Sequence, residues 1–549
     1  MRPIWMSLLV SVPVALAATP TVPAQAEALL KTRFAAEAPG AAILLARDGK
    51  ALYRAGFGLA SLELKTPVRP DMVFRIGSVT KQFTAAAILT LVEDGKVELT
   101  APISRYLTDT PPSWGEVTVE MLLNHTSGIP SYTNDPTFGQ QFRTDFTPEK
   151  LLKTFVLDKP LEFKPGHDHR YNNTGYFLLG QLIHKVSGQP WERYLKARFF
   201  DPLGMKHTRL GTETELIPGL VQGYTAGPRP AAYLSMTQPG AAGALVSTVD
   251  DLATWTFALH AGKVVKPESL VRMTTPTRTA DGKTHPYGYG LAFRSSQGRR
   301  LVGHGGGING FVSYLEADPE KHTVAVILNN TDAPATSDEY LSRRLLALGA
   351  GTPMVEPRPV PVPTTQLQRL VGRYRGQSGF REIRLVDGQL VTSVGAGAAV
   401  PLIPTSPTTF AVKDTDLRLR FVLEGDQVKG LHRHMEEGPE QPLQPLMAAD
   451  EGSKTAPLQV EAFDACAGTF ELVPGFQLRF WREGTTLWTQ ATGQPKAELF
   501  PESDLAYFLK VVDAKVVFER GADGRVTSGK LHQGGRVMPL KRTEPAAIQ

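Results

Sequence analysis

The chain has 549 residues, of which 42% are hydrophobic and 21% charged, and its formal net charge is +5. That length asks for roughly two to four domains, and the composition excludes a disordered polymer. With no block of Lys/Arg, the small positive charge excludes an electrostatic nucleic-acid face, and the single cysteine, Cys466, excludes an internal disulfide framework.

The N-terminus reads as a targeting segment. Arg2 precedes the apolar run "IWMSLLVSVPVALA", and both Ala15-Leu16-Ala17 and Ala24-Gln25-Ala26 are small-x-small cleavage candidates. The run is too short and too interrupted by proline for a good membrane span. Residues 1–26 are therefore expected to be a signal peptide, and the protein to be exported, periplasmic or secreted, without a stable span after cleavage.

Residues 27–350 mix strands and helices. "AAILLARDGKALYRAGFG" reads as a hairpin turning at Asp48-Gly49. "FRIGSVTKQFTAAAILTLVEDGKV" reads as a helix entered through a tight turn. Phe83, Ala87, Ile88, Leu91 and Val92 form its core stripe, and Gly95 is its stop. "TGYFLLGQLIHKVSGQP" is a helix ended by Gly188 and Pro190, and "STVDDLATWTFALHAG" opens with a capping-box-like Thr248-x-x-Asp251. Strands return in "YGYGLAF" and "HTVAVILNN". Early and late strands with helices between them predict an α+β domain on one antiparallel sheet.

Prolines alternate with valines in "GTPMVEPRPVPVPTT", so residues 351–365 read as an extended linker. Beyond it the chain repeats itself. Gly372 and Tyr374 recur as Gly468 and Phe470; Pro404, Phe410 and Phe421 recur as Pro501, Tyr507 and Phe518. Alternating segments such as "LRLRFVL" and "KVVFER" predict two small antiparallel β-barrels or sandwiches, over residues 366–447 and 458–545. Cys466, remote from the motifs below, reads as a small buried side chain.

Ser78 and Lys81 form the only S-x-x-K pair. Residues three apart share a helix face, so Lys81 can reach Ser78 Oγ and serve as its base once burial depresses its pKa. Backbone N–H groups at the helix mouth favour developing negative charge. Tyr171-Asn172-Asn173 precedes the second helix, placing a phenol and an amide where they can face a cleft. For these the ordinary structural alternatives are a half-buried aromatic at Tyr171 and a helix N-cap at Asn173. "GHGGGINGF", residues 303–311, supplies glycines that let backbone approach a substrate.

Taken in order, "FRIGSVTKQFTAAAI", "LLNHTSGI", "FKPGHDHRYNNTGYFLLG", "GAAGALVSTVDDLATW" and "GHGGGINGF" resemble the serine β-lactamase-like and penicillin-binding-protein-like family, over about residues 28–350. The family includes class C β-lactamases, D-Ala-D-Ala carboxypeptidases, D-aminopeptidases and esterases. The resemblance implies Ser78 as nucleophile, Lys81 and Tyr171 as the proton-transfer pair, and Asn173, His304 and Gly306 as substrate-binding residues. It also implies an oxyanion hole from the N–H groups of Ser78 and Gly307, and neither metal nor cofactor. Many members carry Lys-Thr-Gly where this chain has His304-Gly305-Gly306. A neutral histidine is a poorer receiver of a substrate carboxylate, so β-lactam hydrolysis is expected to be at most a side activity.

Other motifs weigh less. "HGGG" resembles the oxyanion loop of the α/β-hydrolases, but the chain has no G-x-S-x-G. His167-Asp168-His169 and His432-Arg433-His434 lack a convincing third metal ligand, and His125 reads as a turn residue. The expected function is an exported serine hydrolase acting through an acyl-enzyme, a peptidase of the D-aminopeptidase or D-Ala-D-Ala carboxypeptidase kind on short D-amino-acid peptides, with cell-wall fragments as candidate substrates. The alternatives are a carboxylesterase and a non-catalytic module that binds a wall polymer or a protein. The tandem β-domains resemble those of D-aminopeptidases, in which a β-domain loop shapes the mouth of the site.

Overall fold

In the computed structural model the described residues are 20–376, 379–394, 399–435, 441–445, 456–473, 476–492, 496–509, 514–521, 523–533 and 536–543. The cleavage candidate Ala15-Leu16-Ala17 lies outside them. The other, Ala24-Gln25-Ala26, falls inside helix α1 (Val22–Leu30), and Ala26 and Leu30 are fully buried in a core cluster.

A six-stranded antiparallel sheet organises residues 41–329. Its strands are β1 (Ala41–Arg47), β2 (Lys50–Phe57), β3 (Ala292–Ser296), β4 (Arg299–Ile308), β5 (Phe311–Asp318) and β6 (Thr323–Asn329), in the order β3-β4-β5-β6-β1-β2. The first hairpin turns where expected, with both Asp48 and Gly49 in the left-handed region (φ 51° and 76°), the conformation of the tight turn that matches strand twist. Alternation along the strands divides two cores. Leu44, Val302, Leu315 and Val326 face a large helical layer; Ile43, Leu45, Tyr314 and Ile327 face α1 and the late helix α5 (Asp338–Gly349).

The helical layer holds α2 (Thr80–Glu93), α3 (Asn173–Ser187) and α4 (Val249–His260). Gly188 ends α3 in a left-handed conformation, and Thr248 caps α4 by accepting from Asp251 N–H. Helix α2 departs from the expected stripe: every residue from Thr80 to Leu91 is buried. It lies inside the large core cluster of the domain, so all of its faces are packed.

The two repeats are closed eight-stranded antiparallel barrels, from Gly372–Gly376 to Gln441–Pro445 and from Gly468–Val473 to Arg536–Arg542. Matched positions carry matched cores. Phe421 touches Tyr374 and Phe410 in the first barrel; Phe518 touches Phe470 and Tyr507 in the second. Cys466 is fully buried, and burial pushes its thiol up to about 12.

Residues 351–363 contain no helix or strand, as the prolines require, yet they are fastened. Glu356 accepts from Tyr340 Oη (2.8 Å) and Arg344 Nε (3.0 Å), and Val360 N–H donates to the Pro404 carbonyl (2.9 Å). The first barrel is tied down by Asp414, paired with Arg33 (3.0 Å), and by buried Asp416, paired with Arg344 (2.8 Å) and Arg343 (2.5 Å). These partners lie on α5 and just beyond α1, so the barrel docks on the sheet face opposite α2.

Candidate active site

Ser78 sits in a single 3-10 turn, Gly77–Val79, that opens directly into α2. Gly77 has φ 48° and lies so close to β4 that a Cβ there would stand 2.9 Å from the Gly307 nitrogen. The same contact is tight from the other side: a Cβ on Gly306 would meet the Ile76 carbonyl oxygen at 2.1 Å and Ser313 Oγ at 2.3 Å. The two glycine-containing motifs thus bring the backbone of the Ser78 turn against the end of β4.

Lys81, three residues after Ser78 and in the first turn of α2, is fully buried. Its Nζ lies 3.0 Å from Ser78 Oγ, 2.8 Å from Asn173 Oδ1 and 2.8 Å from the Ala242 carbonyl oxygen. It also stands over the ring of Tyr171, 4.8 Å from the centroid. Desolvation holds Lys81 well below the ordinary lysine value. A neutral amine has two donors and one lone pair. With the N–H groups given to Asn173 and Ala242, the lone pair is left for the Ser78 hydroxyl.

Asn172, not Asn173, caps α3: its Oδ1 accepts from Gly175 N–H at 2.8 Å. That leaves Asn173 free to hold Lys81, while its own Nδ2 donates to Thr133 Oγ1 (3.1 Å). Tyr171 lies at the mouth and is 40% exposed as a residue. The protein around its phenol raises the phenol's pKa above its ordinary value by desolvation, and the Ser78 hydroxyl beside it works against that rise. Burial therefore pushes the two groups in opposite senses, favouring a neutral amine at Lys81 and a protonated phenol at Tyr171.

His304 is buried, and both its ring nitrogens are engaged. Nδ1 faces the Gly305 carbonyl at 2.5 Å and so carries the proton; Nε2 accepts from Tyr287 Oη at 2.9 Å. Burial first, then the Lys81 charge, pushes its pKa down to about 3, so it is neutral near pH 7. His304 therefore offers no fixed cation. Sequence reasoning brought Ser78, Lys81, Tyr171, Asn173, His304, Gly306 and Gly307 to this place, and all of them meet here. It missed Thr133, the Ala242 carbonyl and Tyr287, which arrive from separate loops. Among the described residues no cluster of three His, Cys, Asp or Glu side chains has the arrangement of a metal site, and no helix is long and apolar enough to cross a membrane.

A family model described as Beta-lactamase matches residues 26–350. The chain belongs to the beta-lactamase family. Beta-lactamase-family members of this fold are serine hydrolases, and the α+β fold expected from the motifs is the one found. The D-aminopeptidase of Gluconobacter oxydans (strain 621H) is 30% identical over 383 residues, covering 66% of this chain and 71% of that protein. Penicillin-binding protein 4* of Bacillus subtilis (strain 168) is 26% identical, covering 70% and 91%. Among solved structures, the octameric penicillin-binding protein homologue from Pyrococcus abyssi superposes with a TM-score of 0.57 at 28% identity, over 76% of this chain and 99% of that one. The D-amino acid amidase from Ochrobactrum anthropi SV3 gives 0.51 at 28% identity, over 60% and 97%.

Proposed function

We propose that this protein is an exported serine amidohydrolase that cleaves short peptides or amides of D-amino acids through an acyl-enzyme. The observation that carries the proposal is the 3.0 Å approach of the buried Lys81 amine to Ser78 Oγ. Lys81 takes the hydroxyl proton as Oγ attacks the substrate carbonyl carbon. The N–H groups of Ser78 and Gly307 receive the resulting oxyanion. Tyr171, kept protonated by its surroundings, gives its proton to the leaving nitrogen as the C–N bond breaks, and regains one from Lys81. Water then attacks the Ser78 ester and releases the acid. No step calls on a metal or cofactor.

The D-amino-acid preference is supported by the names of two similar proteins, a D-aminopeptidase and a D-amino acid amidase. A carboxylesterase is the second reading, favoured by the neutral His304, because an ester needs no cation to receive a carboxylate. Initial rates on an N-acetyl-D-amino-acid anilide, a short-chain p-nitrophenyl ester and a cephalosporin, each with wild type and Ser78→Ala, separate the readings. We expect Ser78-dependent anilide cleavage and slow cephalosporin turnover. Ester cleavage alone would make the protein an esterase. If no substrate reacts and a fluorophosphonate fails to label Ser78, it is a binding module.

A further inference from the structure

A cavity of about 150 Å³ opens beside Ser78, Asn173 and Gly307. Tyr132, Phe138, Phe142, Leu234, Pro239 and Ile308 supply apolar wall, and Thr133 and Asn309 add neutral polar atoms. Among the described residues, no charged side chain lines it. Next to the rim residue Asn309, the Gly310 N–H donates to Asp332 (3.1 Å). Tyr171 is not part of this wall. On the mechanism proposed above, the leaving group departs toward Tyr171, so the cavity receives the part of the substrate that stays on Ser78.

We infer that the acyl half of the substrate is uncharged and carries a ring-sized apolar side chain: an N-acylated or internal D-residue rather than a free amino-terminal one. This inference rests on the acyl-enzyme reading. The volume matches a benzene-sized group, and the aromatic walls offer it edge and face contacts. A free α-ammonium brought beside Ser78 would lose water and meet no carboxylate, as would a glutamyl or lysyl side chain within the cavity without its counter-charge. The described residues of the two barrels line no part of this wall. On this reading the cavity alone sets acyl preference.

The test compares kcat/KM for the p-nitroanilides of N-acetyl-D-Phe, D-Phe, N-acetyl-D-Ala and N-acetyl-D-Glu at pH 8. N-acetyl-D-Phe is expected to exceed each of the others by about ten-fold or more. The Asn309→Asp variant, nearly isosteric, puts a carboxylate on the rim and is expected to narrow the gap between D-Phe and N-acetyl-D-Phe. Equal or faster cleavage of the free D-Phe anilide by wild type would overturn the inference. If no anilide is cut, the amidohydrolase reading fails by itself, and the same acyl series as p-nitrophenyl esters reads the cavity: the same ranking supports the inference and a flat ranking overturns it. If neither series reacts, both readings fall.

Discussion

His125 grips Tyr171 from both sides. Its carbonyl accepts from Arg170 N–H at 3.0 Å, its Nδ1 accepts from Asn172 N–H at 3.1 Å, and its ring lies 4.5 Å from the Tyr171 ring. His125 is buried and adopts a left-handed φ of 63°, which asparagine tolerates better than most side chains. Burial first, then the Lys81 charge, holds its imidazole well below the ordinary value, so Nδ1 stays an acceptor. Histidine-to-alanine at this position is expected to lower kcat by about 10²-fold with a smaller change in KM, because the phenol loses its aim. His125→Asn, whose amide oxygen can accept in the same region, should recover part of the loss. Equal damage in both variants, with both folded by circular dichroism, would reduce His125 to a packing residue.

On the proposed mechanism Lys81 sets the pH dependence. Burial lowers its folded pKa, so the free-base form is gained as pH rises through a value below that of ordinary lysine. kcat/KM should therefore climb with pH along one limb and lose activity on acidification. His304, pushed down to about 3, is already neutral near pH 7. Substituting His304 by glutamine should change the size of kcat/KM and leave the position of the limb alone. A limb that moves with that substitution would assign it to the histidine.

Gly306 and Gly307 are neighbours with opposite expectations. A methyl on Gly306 runs into the Ile76 carbonyl and Ser313 Oγ, whereas one on Gly307 meets nothing within 4 Å. Gly306→Ala must push β4 away from the Ser78 turn and is expected to cost at least ~10²-fold in kcat/KM. Gly307→Ala should fold with an unchanged melting temperature and retain the N–H proposed to receive the oxyanion. A Gly306→Ala enzyme of wild-type activity would mean that the turn and β4 need not meet.

Asp416 holds the first barrel to the hydrolase domain through two arginines of α5. Asp416→Ala leaves Arg343 and Arg344 without that carboxylate in a buried setting, at a cost of roughly 3 kcal/mol. Thermal unfolding should become less cooperative or drop in midpoint. The ranking of substrates should stay the same, since the contact lies across the sheet from Ser78. A changed ranking would show that the barrel reaches the site by another route.

Local spacing made much of this readable before any fold was known. Ser78 and Lys81 are three residues apart, a spacing that lets Nζ reach Oγ, as it does. Asn173 was harder, because a residue at a helix start serves equally as a cap; only the geometry gives the cap to Asn172 and the lysine contact to Asn173. Thr133, the Ala242 carbonyl and Tyr287 had no spacing to betray them, since each comes from a different loop and meets the others only after packing. His125 carried a signal in "NHTSG", but a turn residue and a clamp look alike in one sequence. The barrel repeat was legible from its offset, while closure was not: alternation specifies a half-buried strand and leaves open whether the last strand returns to the first.

That return has a consequence for how such a chain changes over generations. In each barrel the first strand pairs with the last, so hydrogen bonding is completed within one repeat, Gly372 to Pro445 in the first and Gly468 to Arg542 in the second. Duplicating or deleting one such segment exposes no raw strand edge for another chain to join. The tail can thus lengthen or shorten by whole closed units while the hydrolase ahead of it keeps its sheet, its helices and its serine.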